Sequence, residues 1–234
     1  MKNILIIGAA GDVGQGLVAQ FLGAGYRVLA TGRNAQRLEV LRHRFAGEAS
    51  LEVLTGDVSN ETTAAALRDA AIERLGKLDA VIASVAAPHR QRALDGISAD
   101  EFAELFRDNV LTHFVAAKTF LPVIEPAGLY LALGGGMADL LIPRAGHTGV
   151  CQAALRRLYL AFAAEFGARV RVRELMIYSV VAGASNRAKA RAEWLTDDEI
   201  GRYAVAIFEQ PERFVEPIVK LQSREQLQLA SQPS

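Results

Sequence analysis

Short apolar runs alternate with amphipathic stretches along the chain. The apolar runs, rich in Ile, Val and Leu, predict seven strands, at residues 3–8, 27–32, 51–56, 79–86, 129–134, 172–178 and 216–222. Between them, apolar residues spaced three and four apart predict six helices, at residues 14–24, 34–46, 60–75, 98–121, 147–167 and 197–209. Strands this apolar are typical of a parallel sheet that is covered by helices on each face.

This alternation predicts a single α/β domain. Right-handed crossovers wind such strands and helices into a doubly wound parallel sheet of the Rossmann type, with three layers. No long linker, repeat or low-complexity tract interrupts residues 1–234, so we predict one domain over the whole chain. The least regular segments are 87–97 and 183–196. The second carries Trp194, and we expect it either to close over a substrate as a lid or to anchor the loop to the core.

Composition narrows the class of protein. Hydrophobic residues make up 51% of the 234 residues, which excludes a disordered chain. Lysine plus arginine equals aspartate plus glutamate, 26 each, so we predict no surface for nucleic acid or for an anionic membrane. The apolar N-terminal run is too short to span a bilayer, and the single cysteine excludes a disulfide framework, so we expect a cytoplasmic protein. The four histidines and the cysteine show no metal-type spacing.

A glycine-rich loop directly follows the first predicted strand. Gly8, Gly11 and Gly14 are spaced three apart, between the apolar strand and an amphipathic helix. A helix that begins there presents unpaired N–H groups and its positive dipole end, and glycines let a pyrophosphate approach the backbone. This context predicts a dinucleotide site; the alternative is a tight turn that binds nothing. We assign six loop residues to the cofactor: Gly8, Ala9, Gly11, Asp12, Val13 and Gly14.

The tip of the second strand favours NADP over NAD. A NAD site usually places an acid there to hold the ribose 2′-hydroxyl. Here no acidic residue lies between Asp12 and Glu39, and Arg33 stands at the strand tip, where it suits a 2′-phosphate. A solvated surface arginine is the alternative, and NAD stays open. After the third strand come Asp57 and Val58; we expect Asp57 to cap the next helix, to accept a hydrogen bond from the adenine amino group, or both.

Together these features resemble the short-chain dehydrogenase/reductase family over nearly the whole chain. The likeness rests on "GAAGDVG", "GRN" and "GDVSN" after the first three strands, and on "DNVLTHFVAAKTFLP" and "QAALRRLYLAFAAEFG" in the two long helices. The glycine spacing is that of the family's extended or atypical members. The resemblance implies an NAD(P)-dependent oxidoreductase of a small molecule, assembled as a homodimer or homotetramer through the outer faces of those helices. It also places Ser84 and Val85 beside the cofactor, where the family usually has Asn-Ala-Gly.

The family's catalytic residues are only partly matched. By this resemblance, Asn109 is the Asn that supports a water relay. The Ser that polarises the substrate carbonyl falls at Gly134 or Gly135, which carry no hydroxyl. The Tyr that serves as acid or base falls on His147, and the Lys four residues later falls on Cys151. None of the five tyrosines is followed by lysine at that spacing, so no shifted pair exists.

Three interpretations of His147 and Cys151 compete. In the first, His147 replaces the Tyr as proton donor, because histidine titrates near neutrality. In the second, the two side chains form a thiolate–imidazole pair on one helix face. In the third, the chemistry has lapsed and the protein is a dinucleotide-binding sensor or partner subunit. We predict an NADP-dependent oxidoreductase-like protein with a divergent active site, in which Asn109 and His147 act on a carbonyl or enone; the missing Ser and Lys weigh against a simple exchange of residues.

Overall fold

Strands and helices alternate as the apolar pattern predicts, in a computed structural model that describes residues 1–86 and 91–230. The strands are β1 (Asn3–Ile7), β2 (Arg27–Gly32), β3 (Leu51–Thr55), β4 (Leu78–Ala83), β5 (Ile124–Gly135), β6 (Arg171–Ile177), β7 (Val181–Ala182), β8 (Leu195–Thr196) and β9 (Ile218–Leu221). The helices are α1 (Asp12–Gly23), α2 (Ala35–Arg44), α3 (Glu61–Leu75), α4 (Ala99–Phe106), α5 (Thr112–Phe120), α6 (Gly146–Phe166), α7 (Asp197–Glu209) and α8 (Arg224–Ala230).

One parallel sheet holds all seven predicted strands, in the order β3-β2-β1-β4-β5-β6-β9. The chain builds outward from β1 in one direction and from β4 in the other, so the strand order reverses between these two neighbours. The doubly wound prediction is therefore confirmed. In such a sheet, ligands bind beyond the carboxyl ends of the strands at the point of reversal.

The core lies in two layers, one on each face of the sheet. Helices α1 and α7 cover one face, with Leu17, Phe21 and Ile207 among the buried side chains. Helices α3, α5 and α6 cover the other, where Phe120 and Tyr159 are buried. Side chains alternate between the two layers along β1 and β4, so both strands are buried on both faces, as their unbroken apolar runs predict.

The differences from the predicted elements are local. The predicted helix at 98–121 is interrupted by a π-helical turn, Arg107–Leu111, between α4 and α5. Within the predicted lid segment 183–196, the described chain forms a 3-10 turn at Arg187–Lys189 and ends in β8, which pairs with β7. Helix α8 lies in a tail for which the sequence pattern predicted nothing. Residues 87–90 of the other irregular segment lie outside the described residues.

Candidate active site

A crevice of about 260 Å³ opens at the carboxyl ends of β1, β2 and β4. It therefore lies at the point where the strand order reverses. The lining residues are Ile7, Gly8, Ala10, Gly11, Gly32, Arg33, Asn34, Arg37, Gly56, Asp57, Val58, Ser84, Val85, Ala86, Asp108 and Thr112. Seven of the eleven predicted cofactor residues are in this set.

The glycine loop is built around a close approach of two backbone segments. Gly8 has a φ of +82°, and a Cβ there would overlap the carbonyl of Ser84. The backbone N–H groups of Gly8 and Ala9 each donate to Thr31 O at 2.9 Å, which fixes the turn against β2. Any side chain at position 8 would be strained and would push β1 and β4 apart, so only glycine suits this position.

Four of the predicted cofactor residues do not line the crevice. Ala9 and Gly14 are buried on the side of the loop that faces the core, and Val13 packs against the core. The carboxylate of Asp12 accepts hydrogen bonds from Ser185, from its N–H at 2.8 Å and from its hydroxyl. Asp12 thus holds segment 183–196 against the start of α1 instead of facing the crevice.

Two arginines stand at the carboxyl end of β2. Arg33 and Arg37 both line the crevice and are exposed, while Asn34 between them caps α2 by accepting from the Arg37 N–H at 2.9 Å. The Arg37 guanidinium also donates to Ala10 O at 2.8 Å, which ties it to the glycine loop. The sequence pattern predicts Arg33 as a cofactor residue and does not predict Arg37. The four-residue spacing at a helix start, which brings both onto one side, is the signal that would have found it.

The carboxylate of Asp57 makes a local turn and does not cap the next helix. It accepts from the N–H and the hydroxyl of Ser59, at 3.0 and 2.6 Å. The cap of α3 is Asn60, whose side chain accepts from the Thr63 N–H at 3.0 Å. The capping alternative for Asp57 is therefore wrong. Asp57 and Val58 both line the crevice.

Helix α6 turns His147 and Cys151 inward. His147, in the first turn, is only 3% exposed, and Cys151 lies one turn later in the same core layer as Leu155. Burial raises the pKa of the Cys151 thiol, which disfavours the thiolate. The Cys151 Sγ lies 4.0 Å from Leu105 O.

Asn109 lies in the π-helical turn and contacts the Leu105 carbonyl, which Cys151 of α6 also approaches. Its Nδ2 donates to Leu105 O at 2.8 Å. The structure thus brings Asn109 next to Cys151, one turn from His147. Single π turns inside α-helices often mark functional positions, because they redirect side chains.

Three consecutive glycines end β5, and side chains from other elements fill the space at each of them. A Cβ at Gly134 would overlap the carboxyl of Glu174, and one at Gly135 would overlap the amide of Gln152. A Cβ at Gly136 would likewise overlap the ring of Tyr178. A serine cannot occupy position 134 or 135 while these side chains stay in place. Sequence reasoning missed Glu174 and Gln152, although a charge inside an apolar strand such as β6 is itself a signal.

Glu174 is buried without a hydrogen-bonding partner. It is 1% exposed, and within the described chain neither carboxyl oxygen has a partner. Burial raises the pKa of Glu174 to about 8. The charge of Arg156 lowers this pKa by a smaller amount, and the charge of Asp139 raises it. The side chain is therefore a neutral acid at pH 7.

A buried histidine supports the wall of the crevice. His113 Nε2 lies 2.8 Å from Val85 O, and Nδ1 lies 2.7 Å from the Tyr159 hydroxyl. Burial lowers the pKa of His113 to about 4, so the ring is neutral. Because a carbonyl only accepts, Nε2 donates to Val85 O and Nδ1 accepts from Tyr159. The imidazole thus fixes Val85 at the crevice.

Comparison with known proteins identifies the family. A family model described as enoyl-(acyl carrier protein) reductase matches residues 8–218, most of the chain. The chain is a short-chain dehydrogenase/reductase. Oxidoreductases of this family use NAD(P) cofactors.

Relatives of this short-chain dehydrogenase/reductase include enzymes named for cyclic diols. A 1,2-dihydroxy-1,2-dihydronaphthalene dehydrogenase from Ralstonia sp is 28% identical over 95% of this chain and 90% of its own. A cis-1,2-dihydrobenzene-1,2-diol dehydrogenase from Pseudomonas putida is 27% identical over 72% of this chain and 62% of its own. An alcohol dehydrogenase structure from the archaeon Thermococcus sibiricus, complexed with 5-hydroxy-NADP, has the same fold, with a TM-score of 0.84 at 24% identity, covering 100% and 99% of the two chains.

Among residues 1–86 and 91–230, no three His, Cys, Asp or Glu side chains come together as metal ligands. None of the helices in that part of the chain is long and apolar enough to cross a membrane.

We predict that Glu174→Gln makes stability less dependent on pH. Above pH 4.5 the unfolded carboxyl loses its proton while the folded one keeps it until about pH 8. The wild-type free energy of unfolding should therefore fall across this window, by roughly 5 kcal/mol at most, and then level off. Urea unfolding between about pH 5 and pH 9 measures this fall, which the Gln variant should lack. The exposed Glu125→Gln is the control and should keep the wild-type slope; equal slopes for Glu174→Gln and wild type would contradict the prediction.

Proposed function

We propose that the protein is an NADP-dependent oxidoreductase with a divergent active site, which moves hydride to or from a carbon of a small alcohol, carbonyl compound or enone. The observation that carries the proposal is the pair Arg33 and Arg37 at the crevice. Two guanidinium groups follow β2, where the sequence has no acidic residue between Asp12 and Glu39, and they suit a 2′-phosphate and not a bare ribose hydroxyl.

The crevice residues fit a dinucleotide phosphate. The backbone of Gly8 and Gly11 lines the crevice at the start of α1 and suits the pyrophosphate. Asp57 and Val58 suit the adenine, and Ser84 and Val85 suit a ribose. Arg33 and Arg37 complete the set at the 2′-phosphate. NADP, when bound there, supplies or accepts the hydride.

A cyclic, mainly apolar substrate fits both the relatives and the surface before α6. The relatives' names specify dihydrodiols of naphthalene and benzene. In this chain, three apolar side chains just before α6 are exposed: Leu140, Leu141, which is fully exposed, and Ile142. Apolar residues exposed at that place support a ring-bearing alcohol or enone as substrate.

Asn109 and His147 are proposed to handle the proton. When an alcohol is oxidised, its carbon loses a hydride and its oxygen loses a proton, and reduction reverses both transfers. His147 is buried, so we propose that it exchanges the proton through a water molecule that Asn109 holds. Their shared neighbourhood around Cys151 and Leu105 supports this assignment.

Replacing the arginines should weaken NADPH binding selectively. Arg33→Ala and Arg37→Ala each remove charge-assisted hydrogen bonds, so we expect each to raise the Kd for NADPH by roughly tenfold to a hundredfold. The Kd for NADH should stay unchanged, as measured by calorimetry. The control is Arg42→Ala, because Arg42 pairs with Glu39 away from the crevice. A wild-type protein that binds NADH more tightly than NADPH would contradict the NADP assignment.

Replacing His147 should remove turnover and keep cofactor binding. With cis-1,2-dihydrobenzene-1,2-diol and NADP, and with NADPH and a panel of cyclic ketones and enones, His147→Ala should lower kcat by roughly a hundredfold or more. Exposed His43→Gln serves as the control. Full turnover by His147→Ala would end the proposal for His147. Tight NADPH binding with no wild-type turnover on any substrate would instead indicate a silent binding protein.

The outer faces of α4–α6 are proposed as the contact between subunits. Phe106, Leu111, Phe114 and Val150 expose apolar side chains there. We expect a homodimer or homotetramer, and Leu111→Glu with Phe114→Glu should reduce the mass in sedimentation toward the 25.2 kDa monomer. Val40→Glu, at an exposed apolar residue of α2, should not. A wild-type monomer at micromolar concentration would refute this contact.

A further inference from the structure

We propose that the Gln152 amide stands in for the missing serine, donating a hydrogen bond to the substrate oxygen, and that Glu174 is the positioning residue that orients this amide. The inference rests on the proposed oxidoreductase function. It assigns a fixed N–H donor to the reacting oxygen, in addition to the proton exchange proposed for Asn109 and His147.

The Gln152 amide occupies the place where the serine side chain would begin. The three atoms nearest to a Cβ built at Gly135 are the Nε2, Oε1 and Cδ atoms of Gln152. The family's serine falls at Gly134 or Gly135, so the volume of that side chain is filled here by an amide from α6. A simple loss of serine would instead leave this space to water or to an apolar side chain.

This place lies next to the cofactor crevice. Strands β4 and β5 are paired in register, with Ala83 beside Ala132. Ser84, which lines the crevice, directly follows Ala83, and Gly135 lies three residues beyond Ala132. Because neighbouring strands are about 4.8 Å apart, the end of β5 lies close to the strand end that opens on the crevice. The Gln152 amide therefore lies at the same carboxyl edge of the sheet as the crevice.

The amide has the right chemistry for a substrate oxygen. Negative charge develops on that oxygen when hydride reaches the carbonyl carbon, or when the hydroxyl proton leaves first. An N–H donor stabilises this charge without gaining or losing a proton itself. Gln152 thus keeps the same protonation state throughout the reaction.

Two buried atoms with unmet hydrogen-bonding needs point to the orienting role of Glu174. Within the described residues, Gln152 Oε1 is buried without a donor, and Glu174 is buried with no partner at all. Glu174 fills the space at Gly134, and Gln152 fills the space at the next residue. A protonated carboxyl offers the O–H that an amide oxygen needs, directly or through one water molecule. Such a bond would fix the amide with Oε1 inward and Nε2 toward the substrate.

The charged groups near Glu174 are consistent with a proton kept at neutral pH. Arg156 on α6 favours ionisation, while Asp139, which follows β5, opposes it; Tyr159 on α6 lies close enough to interact with the charge. Arg156 is itself paired with Asp139. The burial of Glu174 therefore dominates.

Activity tests the role of Gln152. Gln152→Leu should lower kcat/KM for the dihydrodiol by roughly a hundredfold and leave the Kd for NADPH unchanged. Adding Gly135→Ser to Gln152→Ala should restore at least tenfold over Gln152→Ala alone, because the hydroxyl enters the vacated space. A purely structural role predicts no such rescue. Wild-type kcat/KM in a folded Gln152→Leu, or no rescue in a folded double variant, overturns the inference for Gln152.

A second measurement needs neither cofactor nor turnover. The ¹⁵N resonance of the Gln152 side-chain amide, assigned by its loss in Gln152→Leu, should titrate near pH 8 in the cofactor-free wild type. It should stay flat in Glu174→Gln. A flat wild-type titration overturns the positioning role of Glu174. Absence of NADPH binding and turnover in the wild type would instead refute the proposed function, whatever the resonance does.

Discussion

The contact between Gly8 and the Ser84 carbonyl is the constraint on which the site depends. Strands β1 and β4 are neighbours at the point where the strand order reverses, and their carboxyl ends can approach this closely only because position 8 has no side chain. The crevice opens on this contact. Gly8 also takes a positive φ, so the same residue sets the distance between the strands and the direction of the loop.

At the end of β5 the same physical principle has a different outcome. There the absence of Cβ atoms admits side chains from β6 and α6 instead of backbone. The space beside Gly134 and Gly135 is therefore occupied by the Glu174 carboxyl and the Gln152 amide. These two groups, an acid and an amide, are polar, although burying apolar side chains of similar volume there would cost less desolvation free energy.

The sequence was sufficient for the fold and for much of the cofactor crevice. Buried strands and helices differ in the period of their apolar residues, and Gly8, Gly11 and Arg33 are adjacent to strand ends, so local pattern places them. Gln152 and Glu174 could not be placed in this way. They are distant in sequence from Gly134 and Gly135, and their meeting depends on the packing of α6 and β6. The Asp57 carboxylate accepts hydrogen bonds from Ser59, and Asn60 caps α3 in its place. Sequence spacing does not show which of these two side chains caps the helix.

The site also separates charge along its length. The end near β2 carries two exposed guanidinium groups, while the groups beneath α6 are held neutral by burial: the imidazole of His113, the thiol of Cys151 and the acid of Glu174. Neutral dipolar groups in a region of low dielectric interact strongly with a charge that develops next to them. Asp12, at the start of α1, accepts hydrogen bonds from Ser185 and does not line the crevice. Under the proposed function, binding and chemistry would therefore rely on different physical terms: fixed positive charge for the phosphate, and buried neutral hydrogen-bonding groups for the reacting oxygen.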